Sequence, residues 1–110
     1  QKYSKRLLEY FVLANYDFDS YTKQIYLTAE FLDTENKVKL IIHNAEELSN
    51  IWLPTWSKEN GQDDIIWYSA DKREDGTWTC IIDVLPEESY IVHVYTGESS
   101  PEMFLAQYVF

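Results

Sequence analysis

The chain has few of the residues that cross-link or bend a backbone: its 110 residues include one cysteine, three prolines and three glycines. A lone Cys80 cannot form an internal disulfide, so an apolar core must hold the fold. No apolar run approaches the roughly 18 residues of a membrane-spanning helix. Residues 7–14 are too short for a secretion signal and lack a clear cleavage site. We therefore expect no membrane insertion, and we interpret the start at Gln1 as that of a fragment or a matured chain.

Positive charge is also scarce, with 9 Lys and Arg against 19 Asp and Glu and a formal net charge of −10. Lys and Arg supply most of a protein's affinity for phosphates and anionic lipid headgroups, so we expect neither nucleic-acid nor membrane-surface partners on this balance. Residues 1–23 carry four basic and three acidic side chains, a net of +1, which leaves −11 for residues 24–110. Hydrophobic residues make up 45% of the chain, which predicts one domain with a buried core.

Residues 7–16 are apolar except for Glu9 and Asn15. Such a run is compatible with a short helix or with an extended segment, and its periodicity does not decide between them. We favour a short helix over about residues 3–14. On this interpretation residues 1–23 are an N-terminal extension or linker, and residues 24–110 form the module itself.

From residue 24 onward, β-branched and aromatic segments alternate with polar turns at the spacing of a β-sandwich. In residues 37–43, for example, Val38, Leu40 and Ile42 share one side and the lysines take the other. The pattern predicts an all-β fold, a seven-stranded sandwich of the immunoglobulin or fibronectin-III type. The seven expected strands are residues 24–32, 37–43, 50–56, 64–70, 77–84, 90–96 and 103–110.

A turn at residues 85–89 leads directly into an alternating strand that begins with Tyr90. This arrangement is typical of the tyrosine corner of sandwich domains, in which the hydroxyl bonds back to upstream backbone. The alternative is an ordinary strand tyrosine. The corner predicts a half-buried Tyr90 tied to the turn before it.

Residues 53–68 read LPTWSKENGQDDIIWY, and they are followed by Ala70, by DGT at residues 75–77 and by YIVHVY at residues 90–95. This ordered set resembles the GBS Bsp-like repeat, and the resemblance covers about residues 24–110. Trp78 departs from the pattern, since the family usually has Tyr at that position. The last strand is also more aromatic than the family pattern.

The resemblance implies an immunoglobulin-like module of secreted or cell-wall-attached proteins of Gram-positive bacteria. Similar modules often stand beside peptidoglycan hydrolases, amidases or peptidases and have no established activity of their own. We therefore expect a non-catalytic accessory module that spaces or targets such an enzyme, with peptidoglycan or another surface glycan as a ligand. The alternative is a protein–protein interaction module that holds a neighbouring domain or a basic partner.

Two groups of residues are candidates for ligand binding. The turn that contains Gln62, Asp63 and Asp64 offers oxygen ligands for a cation or for sugar hydroxyls, although turn chemistry alone also explains these residues. Flat aromatic rings stack on sugars, so the tryptophans are candidates as well, with core packing as the alternative for each. The aromatic candidates are Trp56, Trp67, Tyr68 and Trp78.

Nucleophilic catalysis would need Cys80 with His43 or His93 as its base. Cys80 alternates with Trp78 and Ile82, which predicts a buried and inert thiol. One cysteine and two histidines on three different strands lack the close spacing of zinc ligands. We therefore expect no catalytic residues, no metal site and no cofactor.

Overall fold

The computed structural model describes residues 8–18, 21–32, 35–85 and 88–110. These residues form two antiparallel sheets packed as a sandwich-like fold. A five-stranded sheet has the order β1-β2-β3-β7-β6, and a four-stranded sheet has the order β5-β4-β8-β9. A short 3-10 turn, Gly61–Asp64, follows β4. The strands are β1 Leu8–Phe18, β2 Tyr21–Leu32, β3 Lys37–His43, β4 Ile51–Ser57, β5 Ile66–Ser69, β6 Asp71–Lys72, β7 Trp78–Asp83, β8 Tyr90–Thr96 and β9 Met103–Val109.

The core lies between the two sheets and follows the period of two that strands impose on their side chains. Along β3 and β8 every second residue is buried, and the residues between them are half-buried. Apolar residues at the buried positions supply most of the stability, since no disulfide is present in the described chain. The fully buried large side chains are Ile25, Leu27, Val38, Leu40, Ile42, Ile51, Leu53, Ile82, Val92 and Val94.

The all-β prediction is confirmed, but the predicted count of seven strands is wrong, because nine are found within the described residues. All seven expected segments are strands, namely β2, β3, β4, β5, β7, β8 and β9. The two additional strands are β1 and β6. A strand as short as Asp71–Lys72 carries no alternation of its own, and it exists only through its pairing with β7.

The predicted N-terminal helix is wrong for the part of it that is described, because residues 8–14 belong to β1. This strand pairs antiparallel with β2, and a β-bulge between Val12 and Ala14 shifts the register of the pairing. The partner strand satisfies the backbone hydrogen bonds, while Leu13 is buried and Phe11 packs on Tyr108 at a ring distance of 5.2 Å. The rest of the predicted helix, residues 3–7, lies outside the described residues. The division into residues 1–23 and 24–110 stays a prediction.

The hydrogen bond of the tyrosine corner is confirmed, although Tyr90 is buried and not half-buried. Tyr90 is the first residue of β8, its side chain is buried, and its hydroxyl accepts a hydrogen bond from the Leu85 N–H at 2.7 Å. Burial raises the pKa of the Tyr90 hydroxyl. The bond fixes the chain as it leaves the five-stranded sheet and enters the four-stranded one.

Candidate functional site

The outer side of the four-stranded sheet is the strongest candidate for a binding surface. In β4, Ile51, Leu53 and Thr55 are buried toward the core, so the residues that alternate with them face outward. The register carries this outer side across β5, β8 and β9. We call this surface the aromatic face. It consists of Trp52, Pro54, Trp56, Trp67, Ser69, Ile91, His93, Tyr95, Phe104, Gln107 and Val109.

The rings of the aromatic face contact one another across the strands. Tyr95 lies between Trp67 and Phe104, with ring centroids at 6.1 and 5.4 Å. His93 lies between Phe104 and Trp56, at 5.0 and 4.7 Å. Trp67 and Phe104 remain 54% and 49% exposed, so the outer rings of this cluster are open to solvent. The sheet holds these rings in place and leaves their faces available for stacking.

Charge is missing from the eleven described positions of the aromatic face, none of which is Asp, Glu, Lys or Arg. Charged residues make up 25% of the chain as a whole. Two polar side chains meet on this face, where His93 Nε2 and Gln107 Oε1 are joined by a hydrogen bond of 2.8 Å. An exposed, uncharged and aromatic surface of this kind is typical of an interaction site.

The aromatic candidates from the sequence separate into two pairs. Trp67 and Trp56 both lie on the aromatic face, although Trp56 is only 8% exposed and lies beneath His93. Trp67 is therefore exposed enough to reach a ligand, whereas Trp56 packs against His93.

Tyr68 and Trp78 lie elsewhere. The Tyr68 hydroxyl accepts a hydrogen bond from the Asp83 N–H at 3.3 Å, and partial burial raises its pKa. Trp78 is 4% exposed in the core, where its Nε1–H donates to the Ala45 carbonyl at 2.9 Å. Neither side chain belongs to the aromatic face, and the Trp78 ring is too deeply buried to stack on a ligand.

The turn after β4 uses its acid within the protein. The Asp64 carboxylate accepts hydrogen bonds from the Ser57 N–H at 3.0 Å and the Ser57 hydroxyl at 2.7 Å. These bonds lower the pKa of Asp64. The Asn60 N–H in turn donates to Ser57 Oγ at 3.2 Å, and Gly61 adopts a φ of 62°, which favours glycine. Asp64 therefore ties the turn to the end of β4.

Gln62 and Asp63, the other two candidates in this turn, are exposed on the 3-10 segment. Among the residues that the structure describes, no group of three His, Cys, Asp or Glu side chains could hold a metal ion. The hydrogen bonds among Ser57, Asn60 and Asp64 explain the shape of this turn without a bound ligand.

Cys80 is buried, as its alternation predicts, and burial raises the pKa of its thiol to about 12. The thiol faces the core from β7. His43 and His93 lie on the outer sides of the two different sheets, away from this position. The structure therefore does not bring a cysteine and a histidine together.

Sequence reasoning did not select His93, Phe104 and Gln107 as site residues. The alternation of residues 90–95 places His93 on the other side of the strand from Val92 and Val94. This alternation could have identified His93 as an outward-facing residue. Phe104 and Gln107 gave no such signal, because residues three apart on a regular strand face opposite sides. A β-bulge between β8 and β9 brings Phe104 opposite Tyr95 and Gln107 opposite His93.

The fold and this surface define a β-sandwich module with an exposed aromatic face. The family model of the GBS Bsp-like repeat matches residues 28–107. The chain belongs to this family, which is a repeat module of surface proteins. No curated protein and no solved structure gives a match. In the described part of the chain, no helix is long and apolar enough to cross a membrane.

Proposed function

We propose that this chain is a non-catalytic module of a secreted or cell-wall-attached Gram-positive protein, and that it binds a surface glycan through its aromatic face. Binding would hold a neighbouring cell-wall hydrolase at its substrate. The observation that carries the proposal is the contact between rings from all four strands of the sheet, two of which are exposed, on a surface without charge. The tyrosine corner supports assigning the sandwich to the immunoglobulin-like type.

Sugars are suited to such a surface for two reasons. The C–H side of a pyranose ring is apolar and packs on flat aromatic rings, and its hydroxyls need hydrogen-bonding partners at the edge of the contact. Trp67 and Phe104 offer exposed rings, and His93 with Gln107 offers polar atoms next to Phe104. The net charge of −10 disfavours binding of anionic wall polymers. Peptidoglycan is the glycan we propose first, bound through its uncharged sugar strand.

Retention on purified Gram-positive cell walls tests this function. We expect the wild-type chain to sediment with the walls, and the double variant Trp67→Ala/Phe104→Ala to stay in the supernatant. Tyr10→Ala is the matched control, because Tyr10 is a similarly exposed aromatic residue on the outer side of the other sheet. Equal retention of all three proteins, or release of peptidoglycan fragments by the chain alone, would contradict the proposal.

A second candidate is a protein–protein interaction module. In the described chain β1 is an edge strand of the five-stranded sheet, and Tyr10 and Val12 are exposed on it. An edge strand offers backbone groups for pairing with an added strand. This candidate predicts that a neighbouring domain or a basic protein binds in a salt-sensitive way, and that Val12→Lys weakens binding while Trp67→Ala does not.

A further inference from the structure

The polar pair of the aromatic face lies where β8 meets β9, an edge strand of its sheet. His93 on β8 and Gln107 on β9 stand opposite each other in the register, and their side chains are joined by the 2.8 Å hydrogen bond. The His93 ring also contacts Trp56 and Phe104, so its orientation is fixed by packing on two sides. A polar pair held in this way beside stacking rings is positioned to set specificity.

We propose that the His93–Gln107 pair recognises the ligand of the aromatic face, and that the uncharged surface around the pair restricts this ligand to electrically neutral glycans. This inference rests on the proposed function and names the chemical class of its ligand. In this proposal the pair takes the role of polar contact that the sequence suggested for Gln62, Asp63 and Asp64.

The hydrogen-bonding capacity of the pair fits a sugar substituent. When His93 donates from Nε2 to Gln107 Oε1, its Nδ1 is an acceptor and the Gln107 amide nitrogen is a donor. The pair thus presents one acceptor, His93 Nδ1, and one donor group, the Gln107 amide with its two hydrogens. Hydroxyl and acetamido groups both donate and accept, so each can satisfy the two atoms at once.

The charge of the ligand follows from what surrounds the pair. No Lys or Arg occupies a described position of the aromatic face, and the chain has a net charge of −10. A carboxylate or phosphate bound there would lose its hydration without meeting a cation. A neutral glycan carries no such cost, so anionic polymers are excluded by the same surface that accepts neutral ones.

The two histidines make a direct experiment available, since each outer surface of the sandwich carries one. Imidazole signals of the intact chain are followed by NMR during titration with chitohexaose, cellohexaose and polygalacturonate. We expect at least one of the neutral oligomers to shift the His93 signals and to leave those of His43 in place, and the polyanion to shift neither. If neither neutral oligomer shifts His93, or if polygalacturonate does, the inference fails.

Variants separate this inference from the proposed function. Gln107→Glu keeps an acceptor for the His93 N–H but removes the amide donor, and it should weaken binding of a neutral oligomer by about three- to tenfold. Thr28→Ala is the matched control, because Thr28 bonds His43 Nε2 at 3.0 Å on the other sheet.

If walls retain Gln107→Glu as well as wild type but lose Trp67→Ala/Phe104→Ala, the pair has no such role and the proposed function stands. If walls retain neither the wild type nor any variant, the proposed function itself fails.

Discussion

The outer sides of the two sheets face the same solvent but are built differently. On the five-stranded sheet, the outward positions include charges that meet across strands, with Glu30 opposite Lys39 and Lys37 bonded to Asp83 at 2.5 Å. We call this side the mixed face. The aromatic face has no charged residue at its described positions. Charges opposite each other stabilise a solvated sheet and discourage association, whereas an uncharged apolar surface favours a partner.

Aromatic content alone does not distinguish the two faces. The mixed face carries its own stack, in which Tyr26 lies between Tyr10 at 4.7 Å and His43 at 4.5 Å. These rings lie on a sheet that also carries lysines and acids, and the Tyr10 hydroxyl donates to Gln24 at 3.0 Å. The absence of charge, more than the presence of rings, identifies the aromatic face as the binding candidate.

The largest effect on stability is expected within the aromatic face itself. Trp56→Ala removes a ring that is 8% exposed, and it should lower the free energy of unfolding by about 3–5 kcal/mol. Trp67→Ala removes a ring that is 54% exposed and should cost about 1 kcal/mol or less. Urea denaturation measures both values. Similar losses of free energy of unfolding for the two variants would contradict the distinction between a buried, stabilising Trp56 and an exposed Trp67.

A smaller effect concerns the histidine of the mixed face. Burial lowers the pKa of His43 from its ordinary value of 6.5, while nearby Asp75 acts in the opposite direction. The unfolded chain therefore binds this proton at higher pH than the folded chain does. The stability that neutral His43 contributes is complete above pH 6.5 and is lost as the pH falls through its lower folded-state pKa.

NMR titration should place the His43 midpoint below 6.5. His43→Gln should also flatten the decrease in stability just below that pH, as measured by urea denaturation between pH 7 and pH 5. The matched variant His93→Gln serves as the comparison on the aromatic face. A His43 midpoint at or above 6.5 would contradict the burial argument.

The smallest effect is expected from the charged pair of the mixed face. Lys37 and Asp83 are 39% and 71% exposed, so water and salt screen their attraction. Lys37→Met should change the free energy of unfolding less than either tryptophan substitution does. Denaturation at low and high salt measures this change. A loss as large as that of Trp56→Ala would mean that charges support the mixed face as strongly as packing supports the aromatic face.

Much of the fold was predictable because strand alternation and turn chemistry are local. The seven segments, the tyrosine corner at Tyr90 and the buried Cys80 all follow from spacings within a few residues. β1 was not predictable in the same way, since its apolar run suits a helix and a strand equally. Its pairing with β2 decided the outcome, and that pairing is a tertiary contact.

The candidate site was predicted in part. Trp67 and Trp56 were selected and lie on the aromatic face, whereas Trp78 and Tyr68 were selected and lie outside it. The alternation of Trp78 with Cys80 and Ile82 already indicated that it faces the core. Asp64 was selected as a ligand-binding candidate, but its carboxylate accepts hydrogen bonds from Ser57 within the protein.

The sequence by itself determined which residues alternate along each strand, where the turns fall, and that β8 separates a buried valine side from an outer side with His93 and Tyr95. Tertiary structure alone decided which strands share a surface. Phe104 and Gln107 would point to opposite sides of a regular strand, and only the bulge against β8 places both beside His93 and Tyr95. Alternation is a property of one strand, whereas a register and its bulge are properties of two, so the face itself exists only once the sheet has formed.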